Sequence, residues 1–227
     1  MTQPFKAIVW DLDGTLIDSA ADIAYSLNLL LVEDGLVPHS LADIALMVGN
    51  GVAKLLERGY EAASAPLTDG NRPVVLKRFM DVYAANATRE TAPYPGVEDV
   101  LRRYQSEGVV QGICTNKPEG ITRKILKDLD LDKYFSSVIG GDTCSINKPD
   151  PIPLMTCLTE LGVAKEEAVM IGDSGVDART AQAAGIPCIL VSFGYLHEPI
   201  ENLNANAVID HFSTLPDALN SLKETTL

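Results

Sequence analysis

Five short apolar runs, each stopping at a polar or glycine-containing segment, constrain the fold of this chain most: Phe5-Lys-Ala-Ile-Val-Trp10, Val109-Val-Gln-Gly-Ile-Cys114, Ser137-Val-Ile-Gly140, Ala168-Val-Met-Ile171 and Pro187-Cys-Ile-Leu-Val191. Short runs that are apolar throughout, rather than at every second residue, belong to strands buried on both faces. Amphipathic segments alternate with them. Val97, Val100, Leu101 and Tyr104 recur at the spacing of one helical face. Pro118, Pro151 and Pro153 sit where helices open, and Gly108, Gly162 and Gly185 where they close. This alternation predicts an α/β fold with a doubly wound, mostly parallel sheet of the Rossmann-like kind. Its ligands bind outside the carboxyl ends of the strands.

The stretch from about Ser19 to Ala87 breaks the pattern and reads as helices throughout. Ser19 is placed to cap the first of them, and Ile23, Leu27, Leu30 and Leu31 share a face, as do Val75, Phe79, Val82 and Tyr83. Leu67-Thr-Asp-Gly-Asn-Arg-Pro73 reads as a loop. The expected organisation is a catalytic α/β core over residues 1–18 and 88–227, with an all-helical cap over 19–87 inserted after the first strand. Such a cap, hinged beside a site, excludes water and selects the ligand.

With 18 basic against 31 acidic residues the formal net charge is −13, and no basic stripe is present. That argues against a nucleic-acid backbone or an anionic membrane as partner. No apolar run approaches the ~18 residues that span a bilayer. Cys114, Cys144, Cys157 and Cys188 lack zinc-ligand spacing and read as free thiols in a reducing compartment. The first strand begins by Phe5, which leaves no room for a signal peptide, so a cytoplasmic protein, monomeric or homodimeric, is expected.

Four segments at or near strand ends carry chemistry: Asp11-Leu-Asp-Gly-Thr-Leu-Ile-Asp18, Thr115-Asn116-Lys117, Lys148-Pro149 and Gly172-Asp-Ser-Gly-Val-Asp177. Asp11 and Asp13 stand too close to carry charge without a cation or a shared proton. The small residues Gly14 and Thr15 let main-chain amides approach a phosphate. Together the segments supply a carboxylate nucleophile, a second carboxylate, a hydroxyl, a lysine and a further acidic pair. That is the set required to move a phosphoryl group through an aspartyl-phosphate with a divalent metal. On this reading Asp11 attacks phosphorus, and Asp13 protonates the leaving oxygen and later deprotonates water. Lys148 offsets the repulsion between Asp11 and the phosphate. Thr115 and Asn116 serve as an anion-binding helix start, and Lys117 is either solvent-facing or a neighbour of the substrate. His39, His197 and His211 lack evident partners and read as surface or loop residues.

The Asp-Leu-Asp-Gly-Thr-Leu-Ile-Asp-Ser string resembles the first motif of the haloacid dehalogenase superfamily, and the other segments resemble its remaining motifs in order. The resemblance spans essentially the whole chain. It implies a core of the haloacid dehalogenase type, and Asp13 implies the phosphoryl-transfer branch. It further implies Mg²⁺ held by the Asp11 carboxylate, the Asp13 main-chain carbonyl and Asp173. Phosphoryl oxygens would be held by the Thr115 hydroxyl and the adjacent amide. Asp177 would orient a metal-bound water or Lys148. Family members commonly carry a longer polar pair where this chain has Gly175-Val176. Gly49-Asn50-Gly51 in the cap reads either as a turn or as a substrate-binding segment, its glycines letting main chain come near a small ligand and Asn50 offering a donor and an acceptor; it and the Phe193-Gly-Tyr195 run resemble the phosphoglycolate phosphatase branch. The implied activity is hydrolysis of a small phosphorylated metabolite. A β-phosphoglucomutase-like phosphotransferase and another phosphomonoester or pyrophosphate hydrolase remain alternatives, as does a catalytically silent binding protein on the same fold.

Overall fold

The computed structural model describes residues 5–196 and 198–225, the side chains of 223–225 excepted, so His197 lies outside the described residues. Its main sheet is built from β1 (Ala7–Trp10), β4 (Val110–Cys114), β5 (Ser137–Ile139), β6 (Ala168–Gly172), β7 (Cys188–Val191) and β8 (Ala207–Ile209), in the order β5-β4-β1-β6-β7-β8. Every pairing in it is parallel. The first strand is central. The chain winds from it to one side through β4 and β5, then returns to build β6, β7 and β8 on the other. That places a topological switch point at the carboxyl end of β1.

β1 is buried on both faces, as its unbroken apolar run requires. Ile8 and Trp10 enter the core on one side of the sheet, and Ala7 and Val9 the core on the other. Trp10 donates its indole N–H to Gln111 Oε1 at 3.2 Å, and Gln111 passes a hydrogen bond to the Leu101 carbonyl. Its polar atom is thus satisfied inside the core. Helices α5 (Val97–Ser106), α6 (Glu119–Asp128), α7 (Ile152–Leu161), α8 (Gly175–Ala184) and α9 (Leu215–Thr225) complete the layers. Cys114, Cys157 and Cys188 are buried free thiols and Cys144 is half-buried.

Between β1 and α5 come four helices, α1 (Ala20–Glu33), α2 (Leu41–Ala45), α3 (Val52–Ala62) and α4 (Arg72–Asn86). The chain enters and leaves them through two short strands, β2 (Ile17–Asp18) and β3 (Ala92–Pro93), paired antiparallel. A buried carboxylate ties this crossing together. Asp22 on α1 accepts from the main-chain N–H groups of Glu90 and Thr91 and from the Thr91 hydroxyl at 2.7–3.1 Å. The first turn of α1 is thereby fixed to the returning chain. His39 lies half-buried in the loop before α2 and has partners that its sequence context does not reveal. Its main-chain N–H and carbonyl both bond the Asn28 side chain, and its Nε2 lies 2.8 Å from the Gly59 carbonyl, joining α1 to α3.

Candidate active site

The four chemical segments converge. Asp11 follows β1, Thr115 follows β4, Asp173 follows β6, and Lys148 lies in the loop after β5, all on the carboxyl side of adjacent strands. Asp11, Asp173 and Asp177 bring carboxylate oxygens within 4.8 Å of one another, and all three are buried. Lys148, also buried, donates from Nζ to Asp11 Oδ1 at 2.8 Å and to Asp177 Oδ1 at 2.6 Å. The peptide joining Lys148 to Pro149 is cis.

Asp177 sits in the first turn of α8. Its other oxygen accepts from the Ser174 hydroxyl at 2.7 Å and from the Ser174 and Asp173 N–H groups at 3.2 and 3.3 Å. One side chain therefore secures a helix start and presents a carboxylate to Lys148. Asp173 is placed from a different direction. Tyr195 N–H donates to its Oδ2 at 2.6 Å. A Cβ on Gly14 (φ +83°) or on Gly194 would collide with the Asp173 side chain, which is why small residues flank it. Tyr195 also governs the hinge: its hydroxyl donates to Asp18 and accepts from Ser19 N–H at 2.8 Å and Ala20 N–H at 2.9 Å. With the start of α1 satisfied by Tyr195, the Ser19 hydroxyl makes no helix cap and instead donates to Asp13 Oδ1 at 2.5 Å.

Lys117 is buried, with only 5% of its surface exposed. Its Nζ meets both oxygens of Asp13 at 2.7 and 2.9 Å and donates to the Tyr83 hydroxyl of α4 at 2.5 Å. The solvent-facing alternative is thus corrected: an aliphatic stem of this length reaches inward because a carboxylate and a phenol wait there. Asn116 joins core to cap on the same loop. Its Nδ2 donates to the Gly49 carbonyl at 3.2 Å and the Lys148 carbonyl at 3.0 Å, while its Oδ1 has no partner among the described residues. Thr115 Oγ accepts from Lys117 N–H at 3.2 Å and keeps its own proton to donate.

A narrow cleft, open at its mouth, lies between these groups and the cap. Gly49 and Gly51 line it, and Asn50 does not; the Asn50 Oδ1 accepts from Arg58 at 2.8 Å, so this side chain braces the loop. The cap wall is mostly apolar, from Ile23, Val48, Val52, Leu55 and Phe79.

The electrostatics are set by burial. Desolvation pushes the Asp11 carboxyl up to about 7, opposed by Lys148 and assisted by Asp177 and Asp13. Burial and the neighbouring Asp177 and Asp11 carboxylates hold Asp173 well above the usual range. Lys148 and Lys117 are both held above the ordinary lysine value because their carboxylate partners outweigh desolvation. One lysine thus faces three buried carboxylates, and among the described residues the hydrogen bond to the Asp173 carboxylate comes from a neutral main-chain donor. Hard oxygen donors with surplus negative charge fit Mg²⁺. Asp11 and Asp173 could hold it, Asp177 being taken up by Lys148 and the start of α8.

A pH dependence follows. A folded-state pKa raised from 3.8 to about 7 means that the folded protein keeps the Asp11 proton more tightly than the unfolded chain does. Its stabilising contribution is complete below pH ~4 and is lost as pH rises through 7. In chelator, Tm should fall between pH ~4 and ~7, and added Mg²⁺ should flatten that fall. A Tm that rises across the interval contradicts this placement of Asp11.

The haloacid dehalogenase-like hydrolase profile matches residues 8–191, and the chain belongs to that family of hydrolases. Among curated relatives, it is 43% identical over 215 residues to the phosphoglycolate phosphatase of Caulobacter vibrioides, covering 95% of this chain and 91% of that one. It is 40% identical to the phosphoglycolate phosphatase of Rhodospirillum rubrum, covering 94% and 90%. The crystal structure of a predicted phosphoglycolate phosphatase from Haemophilus somnus superposes with a TM-score of 0.89 at 28% identity, covering 96% of this chain and 99% of that one. Among the described residues no helix is long and apolar enough to cross a membrane.

Proposed function

We propose that this chain is a cytoplasmic, Mg²⁺-dependent phosphatase that hydrolyses a small phosphorylated metabolite through an aspartyl-phosphate on Asp11, with 2-phosphoglycolate a preferred substrate. The observation that carries the reading is the convergence of Asp11, Thr115, Lys148 and Asp173 at the carboxyl ends of neighbouring strands. Asp11, ion-paired to Lys148 at 2.8 Å, stands at the switch point.

The phosphoryl group sits against Asp11, its oxygens taken by the Thr115 hydroxyl and the Asn116 N–H at the α6 entry. Asp11 Oδ attacks phosphorus as the substrate oxygen departs, and Asp13 gives that oxygen its proton. Asp13 then accepts a proton from the water that splits the acyl phosphate, restoring Asp11 and releasing phosphate. Lys148 balances charge as the dianion approaches, and Asp177 fixes the lysine. Bound Mg²⁺ would supply the positive charge that favours the Asp11 anion and draws in the phosphate. Gly49 and Gly51 bring main chain to the cleft, and Asn50 holds that loop through Arg58. Support for a small substrate comes from the cap wall, where Ile23, Val48, Val52, Leu55 and Phe79 offer a sugar's hydroxyls no partners and would make their burial costly. The relatives at 43% and 40% identity point the same way.

A substrate panel read by phosphate release tests this. Activity with 2-phosphoglycolate should require Mg²⁺, vanish in EDTA and stay near background in Ca²⁺, whose larger and looser shell misplaces nucleophile and phosphate. Full turnover in chelator or in Ca²⁺, or an outright preference for a hexose phosphate, overturns the assignment.

A further inference from the structure

We infer that the Lys117 ammonium, with the Tyr83 hydroxyl beside it, is the seat for a second anionic group on the substrate, and so selects carboxylated phosphomonoesters over neutral ones. The inference rests on the phosphatase reading above and adds the determinant of its specificity. Lys148 is committed to Asp11 and Asp177 on the phosphoryl side. Among the described residues that line the cleft, Lys117 is the only cation, and the cap wall across from it is apolar. Arg58 of the cap is spent on Asn50 and the Met47 carbonyl and does not reach the lining.

The contacts of Lys117 leave room for such a ligand. An ammonium has three donors, and here two of them go to the two oxygens of one carboxylate, Asp13, at 2.7 and 2.9 Å. One such bond suffices to hold Asp13, so the other can pass to a substrate oxygen. The Tyr83 hydroxyl accepts from Lys117 and retains a proton to donate. A carboxylate placed there would receive one charged and one neutral hydrogen bond in a desolvated setting, where each counts most. Because Tyr83 belongs to the cap and Lys117 to the core, the same carboxylate would also bridge the two. An uncharged substrate of equal size would leave the ammonium without that partner and the cap without that bridge.

The test compares kcat/KM for 2-phosphoglycolate with that for 2-hydroxyethyl phosphate, which replaces the carboxylate by a neutral group of similar reach. Wild-type protein in Mg²⁺ should favour the acid by at least ~10-fold, the size expected for a hydrogen bond to a charged group. Lys117→Met should bring the ratio close to unity. Lys117→Arg should retain part of the preference, and Tyr83→Phe should lower it several-fold while keeping the ring. Circular dichroism and Tm verify that each variant is folded, and the arginine and phenylalanine variants carry the test should the methionine variant not fold. Equal losses for both substrates in the variants overturn the inference and leave Lys117 serving Asp13 alone. A wild type indifferent to the carboxylate overturns it while the phosphatase reading stands. A wild type that hydrolyses neither compound overturns both.

Discussion

Asp11→Asn should lower turnover of 2-phosphoglycolate by at least ~10³-fold while leaving the protein as stable as the parent, or more so, in chelator. Loss of activity follows from loss of the nucleophilic anion, because unaided hydrolysis of phosphate monoesters is among the slowest of reactions. The stability claim is the less obvious half. Asp11 is a buried carboxylate beside Asp173 and Asp177, with desolvation and the Asp177 and Asp13 carboxylates acting against its charge and Lys148 opposing them. An amide of the same shape removes that repulsion and still offers Lys148 an oxygen to bond. Excess Mg²⁺ should reverse the order, since the wild type binds the ion more tightly and gains more stability from it. A variant with more than a few per cent of parental activity contradicts the nucleophile assignment. A large loss of Tm in chelator contradicts the charge account.

Lys148→Met should do what Asp11→Asn does not and lose activity and stability together. The lysine is buried and pairs with Asp11 and Asp177 at 2.8 and 2.6 Å. Its removal leaves three buried carboxylates facing one another without a cation. Breaking one side of a buried ion pair costs about 3–5 kcal/mol, which for a domain of this size is roughly 6 to 20 °C in Tm. Turnover should fall by ~10²-fold or more, because the dianionic phosphate then approaches an uncompensated acidic cluster. Mg²⁺ should restore part of the stability and little of the rate. An unchanged Tm in chelator would show that the carboxylates are not held together as ionised groups, and the role of Lys148 would have to be redrawn.

These two variants differ because of contacts that span the chain, and the same fact separates what the sequence reveals from what it hides. The five apolar runs mark β1, β4, β5, β6 and β7 to within two residues at either end, since a strand buried on both faces leaves no ambiguity of period. The remaining strands leave no such mark. β2 and β3 are two residues each, and β8 is an edge strand whose Val208 is half exposed. The positions of Asp11, Thr115, Lys148 and Asp173 are readable because each follows or lies near a run that ends at the sheet's carboxyl edge. Lys117 is not readable in that way. Its partners Asp13 and Tyr83 lie 104 and 34 residues away, and nothing local distinguishes it from a solvated lysine. Ser19 has the composition of a helix cap, but a phenol 176 residues distant bonds its N–H at the helix start and frees its hydroxyl for Asp13. Asn50 looks like a ligand-facing side chain until Arg58, eight residues on in α3, is seen to hold it.

Trapping the covalent intermediate tests the central claim most directly. Protein turning over 2-phosphoglycolate in Mg²⁺ is quenched in acid within milliseconds, reduced with borohydride and mapped by mass spectrometry. An aspartyl-phosphate on Asp11 should appear as homoserine at residue 11, its yield rising with substrate and absent from Asp11→Asn. Homoserine at another aspartate, or no reduced residue while phosphate is released in a first-turnover burst, would contradict it.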